Sequence, residues 1–168
     1  MNTAIVYSSI TGNTKRIAES LKLSLSGSEI FHVDDAPVPE NFDLIILGYW
    51  VDRGTSDKKM TEYMKRLNQC TIFLFGTMGA DPEGEYAKGV KTAVERNLSG
   101  CRLMSHIQCR GEMQRSTLDR FVKVLEKNPE DELAVRKVNS YHASYGHPDD
   151  EDIKTIVDSA KKIVYELN

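Results

Sequence analysis

The sequence predicts an α/β fold: a doubly wound, five-stranded parallel sheet with an extra helical segment before its last helix. Three observations carry this. Short apolar runs alternate with amphipathic stretches of helical period. Three of those runs lack polar alternation, as strands covered on both faces do. The first strand-to-helix passage gathers hydroxyls around a single glycine.

Each element has its own signal. Thr3–Ser8 is the first strand, and the helix over Asn13–Leu25 places Ile17, Ala18, Leu21 and Leu25 on one stripe. Glu29–Val33 is the second strand and Asp43–Trp50 the third. The DDAPVPENF linker between them is too short for a crossover helix and reads as a turn. Ser56–Leu67 lines up Met60, Met64 and Leu67, and Thr71–Gly76 is the fourth strand. The helix over Glu85–Leu98, with Tyr86 on its core face, stops at Gly100 before the fifth strand, Arg102–Arg110. Residues of about 112–147 form the insertion, read as helices over Ser116–Lys127 and Pro129–Tyr141. The last helix has Pro148 in its first turn and an acidic start, Asp149 to Asp152, with Ile153, Ile156, Val157 and Ala160 on its core face. Residues 1–168 read as one domain.

Composition narrows the function. With 168 residues, 40% of them hydrophobic and 28% charged, the chain is neither disordered nor a disulfide scaffold. A net charge of −3 argues against bulk nucleic-acid binding. No apolar run approaches the roughly 20 residues of a membrane span, and no signal peptide is readable, so a cytoplasmic location is expected. Cys70, Cys101 and Cys109 are odd in number without a CxxC pair, as expected of reduced, mostly buried thiols. The four histidines have no zinc spacing with them, and no metal is expected.

Chemistry concentrates at the first turn. In IVYSSITGNTKRIAESL, the end of a strand, a hydroxyl-rich loop and the start of a helix follow one another. Unpaired backbone N–H groups and the helix dipole favour an anion there. Ser9, Thr11, Thr14 and the Asn13 amide add neutral donors, and Gly12 permits close approach. The run is neither GxxxxGK followed by Ser or Thr nor GxGxxG. By itself it fits either a plain N-cap or a phosphate nest. Trp50, the only tryptophan, leads into the polar loop VDRGTSD, either as a core cap or as a stacking wall for a flat ring. The loop GTMGADPEG is either a turn or a backbone-rich ligand edge.

Ile5, Val6, Tyr7, Ser9, Gly12, Thr14, Ala18 and Leu21 resemble, position by position, the N-terminal signature of the flavodoxins. The resemblance is good over the first hundred or so residues and loose beyond. It implies strand order 2-1-3-4-5 and flavin mononucleotide (FMN) as cofactor. It further implies phosphate binding by Ser9, Ile10, Thr11, Gly12, Asn13 and Thr14, flavin contacts from Tyr49, Trp50 and Val51, and contacts to the flavin's polar edge from Thr77, Met78 and Gly79. The expected function is electron transfer from a flavin or iron–sulfur reductase to an acceptor enzyme, with no catalytic side chain. The alternative is an FMN-dependent NAD(P)H oxidoreductase acting on a quinone or other small molecule.

The chain departs from the flavodoxin pattern in four ways. Gly84 stands near the usual second stacking aromatic, leaving the outer flavin face open. Val51 replaces a glycine whose peptide flips toward the one-electron-reduced flavin, and a β-branched residue resists φ > 0. The charge is weaker than a dedicated carrier's. The insertion starts on the flavin side of the sheet, where it reads as a lid, a docking surface or a helical pad. The cluster of Tyr141, His142, Tyr145 and His147 at its end is given no catalytic role. A response-regulator receiver is rejected, because Ser8 and Ser9 stand where it needs acids.

Overall fold

A computed structural model describes all residues, 1–168. Five strands run parallel: β1 (Thr3–Tyr7), β2 (Glu29–His32), β3 (Leu44–Asp52), β5 (Thr71–Met78) and β6 (Arg102–Arg110), in the order β2-β1-β3-β5-β6. A short β4 (Thr55–Ser56) adds an antiparallel edge to the end of β3. The helices are α1 (Asn13–Ser24), α2 (Lys58–Met64), α3 (Glu85–Glu95), α4 (Arg115–Lys127), α5 (Glu132–Ser144) and α6 (Asp150–Leu167). None is long and apolar enough to cross a membrane.

The strand period of two sorts the core into two layers. Ile5, Ile46, Phe73 and Phe75 pack against α1 and α6 through Ile17, Leu21, Ile156 and Ala160. Ala4, Ile45, Leu47 and Leu74 face α2 and α3 through Met60, Met64, Val90 and Val94. Both faces of the central strands are thus dry, which explains their lack of alternation. The β2–β3 linker makes only two short 3-10 turns, Val33–Asp35 and Pro39–Asn41, as the residue count requires.

The differences from expectation lie at element ends. β3 continues two residues past Trp50 and folds back, because Arg53 and Gly54 take φ of 48° and 87°, the positive pair a tight hairpin needs. β5 extends through Thr77 and Met78, so these are strand rather than loop residues. α2 begins only at Lys58, where Asp57 caps it by accepting the Met60 N–H. α5 is shifted to Glu132–Ser144, with Asp131 as its cap. Pro148 precedes α6 instead of lying in its first turn, and Asp149 with Asp152 forms a capping box. Cys109 is buried, but Cys70 and Cys101 are only half-buried.

Candidate functional site

In an open sheet of this order the ligand crevice lies beyond the carboxyl ends of the strands, at the point between β1 and β3 where the winding reverses. Four segments converge there. After β1, the Ser8 N–H still donates to the Gly48 carbonyl at 2.9 Å, and the chain then leaves the sheet. Gly12, at φ 92°, turns it into α1, and no side chain caps that helix. Its first turn carries no acid. Ser9 Oγ accepts the Gly12 N–H at 3.1 Å, bracing the loop. Lys15 pairs with Glu19, the Arg16 side chain donates to the Pro148 carbonyl, and Lys58 and Lys59 lie on the smaller cavity beside Ser8 and Ser9. What remains is an uncapped helix start with a neutral donor set, suited to a phosphate monoester.

The second segment is the β3–β4 hairpin. The Trp50 carbonyl accepts the Asp57 N–H at 3.0 Å, and Val51 lies opposite Ser56, so the Trp50–Val51 peptide is anchored through its carbonyl. Asp57 joins this hairpin to the first loop, because its Oδ1 accepts from Ser8 Oγ at 2.8 Å. The carboxylate is 3% exposed, and its Oδ2 is buried without a partner. Burial raises its pKa above the ordinary 3.8, against the hydrogen bonds from Ser8 and the Met60 N–H.

The third segment, the end of β5, is tied to the first by a hydrogen bond between Thr14 Oγ1 and Thr77 Oγ1 at 2.9 Å. The fourth is the base of the insertion, Gly111 to Gln114. Here Asn13 Nδ2 donates to the Glu112 carbonyl at 3.0 Å. Between the four segments lies a cavity of about 340 Å³, within the size range of small-molecule sites. Ile10, Thr11 and Asn13 line it from the first loop, Trp50 and Val51 from the hairpin, and Thr77, Met78 and Gly79 from β5.

Four of the residues named from the sequence lie elsewhere. Ser9 lines a smaller neighbouring cavity with Ser8 and Asp57. Gly12 does not line the cavity itself; it turns the chain into α1, whose first residue, Asn13, does. Thr14 is 1% exposed, with its hydroxyl engaged by Thr77. Tyr49 is fully buried on the α2–α3 face, where its hydroxyl bonds His106 Nε2 at 2.8 Å and accepts from Gln108 Nε2 at 2.9 Å. Tyr49 lies one residue further inside the sheet, with its ring turned across Gly76, and does not reach the cavity. Tyr86 also departs from expectation: it is 51% exposed rather than in the core.

The family model of the flavodoxin domain matches residues 4–161. The chain belongs to the flavodoxin domain family. Two curated relatives are both flavodoxin-like domain-containing proteins called BilS. The one from Clostridioides difficile is 30% identical and the one from Clostridium symbiosum 32%, each match covering 91% of this chain and 90% of the relative. Among solved structures, the flavoprotein of Lactobacillus acidophilus in complex with FMN is 19% identical. It superposes with a TM-score of 0.52 over 71% of this chain and 97% of its own, a likeness of fold.

Within this flavodoxin domain, the site residues that sequence reasoning missed are Gly111, Glu112, Met113 and Gln114. They follow β6 at the same edge of the sheet as the other loops, so their strand position alone was a usable signal. A Cβ on Gly111 would come within 2.8 Å of Asn13 Nδ2 and 3.2 Å of Thr77 Cβ, so a side chain here would displace the Asn13 amide. His147, Asp149 and Asp152 cluster nearby, but their contacts build the start of α6.

Proposed function

We propose that the chain binds FMN in this cavity and passes electrons from a reductase to an acceptor protein. The observation that carries the reading is the uncapped start of α1 at Gly12, opening onto a cavity walled by Trp50. An FMN phosphate fits the neutral donors of the first loop, and a flat ring fits against the indole. FMN supplies the redox chemistry when bound. The chain's own work is to hold the phosphate through Thr11, Asn13 and the α1 N–H groups, orient the ring against Trp50, and keep water from it with Met78 and Met113. No carboxylate, histidine or thiol acts as an acid, base or nucleophile. The membership in the flavodoxin family and the FMN complex of the Lactobacillus structure support the cofactor.

The test is a visible spectrum of the purified protein, before and after adding FMN, followed by anaerobic NADPH without a partner. Bound flavin that stays oxidised supports a carrier awaiting its reductase. Failure to take up FMN overturns the cofactor reading.

A second reading is favoured by one specific observation. Beyond Trp50, Met78 and Met113 a further compartment continues under the α4–α5 insertion, with room for a small molecule. On this reading the chain is an FMN-dependent NAD(P)H oxidoreductase acting on a quinone. Flavin bleached directly by NADPH, and reoxidised by a quinone, would select it.

A further inference from the structure

The compartment beyond the flavin cavity has a volume of about 430 Å³, enough for a ligand of its own. It shares Trp50, Val51, Met78, Gly79 and Met113 with the flavin cavity, so the two spaces meet at one apolar wall. Everything else that encloses it comes from outside the phosphate loop. The hairpin tip brings Arg53, α3 brings Tyr86, and the insertion brings Thr117, Lys137 and Ser140.

The charges of the two spaces are segregated. Glu112 is the only ionisable side chain on the flavin cavity with a formal charge at neutral pH. Arg53 and Lys137 are the only such side chains on the compartment, and no carboxylate lines it. Lys137 has no ion-pair partner; Arg53, at the mouth with its side chain 94% exposed, makes only a loose pair with Asp52 at 4.0 Å. On a chain of net charge −3, two cations facing one cavity form a local field for an anion. The hydroxyls of Tyr86, Thr117 and Ser140 add neutral donors. The thioethers and the indole at the shared wall suit a flat, polarisable body.

We infer that this compartment binds a flat organic anion, a sulfonated or carboxylated quinone, with Lys137 and Arg53 selecting its charge and the Trp50–Met78–Met113 wall its ring. This rests on the second reading of the site. Reduction of such a quinone takes two electrons and two protons. Both electrons come from the cofactor, which NAD(P)H has reduced, and cross the shared wall, while both protons come from solvent. The product is the hydroquinone.

The experiment is calorimetric titration of the FMN-loaded protein with 1,4-naphthoquinone-2-sulfonate and with neutral 1,4-naphthoquinone. The sulfonate should bind about ten-fold more tightly, as expected for a charge-assisted contact at a partly open site, and added salt should narrow the gap. The double variant Arg53→Asn/Lys137→Ala should lose that preference while its affinities for the neutral quinone and for FMN stay as in the wild type. Asparagine is chosen because it tolerates the positive φ of position 53. Equal affinity for both quinones, or a preference that survives in the double variant, would overturn the inference. If the protein takes up no FMN, the cofactor reading fails separately, and the same titration on the apo-protein decides the compartment alone.

Discussion

The Asn13 side-chain amide donates to the Glu112 carbonyl at 3.0 Å, fastening the first loop to the base of the α4–α5 insertion. Glu112 is itself a clip. Its N–H donates to the His147 carbonyl at 2.7 Å, and its Oε2 accepts the Gly146 N–H, so one residue joins the two ends of the insertion. Asn13→Ala therefore removes a cavity donor and loosens this clip together. FMN affinity should fall about ten-fold, in line with roughly 1–1.5 kcal/mol for one net hydrogen bond. Limited proteolysis should also cut the insertion faster. Unchanged flavin affinity in a fluorescence titration would remove Asn13 from the site.

Trp50 is the sole tryptophan, so its emission reports on this wall alone. FMN should quench it on binding. Trp50→Ala should weaken FMN two- to ten-fold, the equivalent of about 0.5–1.5 kcal/mol of stacking. Trp50→Phe should recover part of that loss. Emission that ignores saturating FMN would place the ring system elsewhere.

Legibility from sequence followed the strength of the periodic signal. Parallel strands buried on both faces announce themselves through runs such as LIILGYW and TIFLFG, and the hydroxyl-rich turn at Gly12 located the ligand end of the sheet. The hairpin has little local signal, because Arg53–Gly54 is a weaker turn signal than Asn-Gly and its partner strand is two residues long. Tyr49 beside Trp50 reads as part of the same wall, but its ring turns into the core across Gly76, a contact with no local sequence signal. Tyr86 sits on a helical stripe that reads as core. It instead lies near the start of α3, where the face turns from the sheet toward the second compartment. Lys137 carries no local signal: only the folding of the insertion over the cavity brings it near Arg53.

Tyr49 needs a missing side chain opposite it. Its ring lies across Gly76 on β5, and a Cβ at position 76 would run into that ring. Both groups sit in the closed α2–α3 layer, with Tyr49 fixed by His106 and Gln108. Gly76→Ala should cost about 1–3 kcal/mol by overpacking, lowering the melting temperature by roughly 2–12 °C. Tyr49→Phe tests the polar side of the same contact. It strips Gln108 Nε2 and His106 Nε2 of their partner, at about 1–3 kcal/mol if neither finds another. Thermal denaturation of the two variants checks both, and wild-type melting in Gly76→Ala would mean that the ring has room to move.

The buried Asp57 gives the protein a stability profile with a definite sign. Its pKa in the fold is raised above 3.8, chiefly because burial strips water from the charged form. The native state thus holds its proton more tightly than the unfolded chain does. Above the raised value Asp57 is ionised in both states and the fold bears the desolvation cost. As pH falls through that value toward 3.8, the proton returns and the cost is relieved. His106 works the other way. Burial lowers its pKa below 6.5, against the pull of Glu95, so acid favours the unfolded chain. A wild-type curve alone mixes the two, and subtracting Asp57→Asn separates them. Asparagine keeps the acceptor used by Ser8 and the Met60 N–H without the charge. The melting temperature of Asp57→Asn relative to wild type should therefore be higher near neutrality than in mild acid. A constant difference across that range would show that the carboxyl is solvated through the small cavity it shares with His32, Asp52, Lys58 and Lys59, and that burial sets no penalty there.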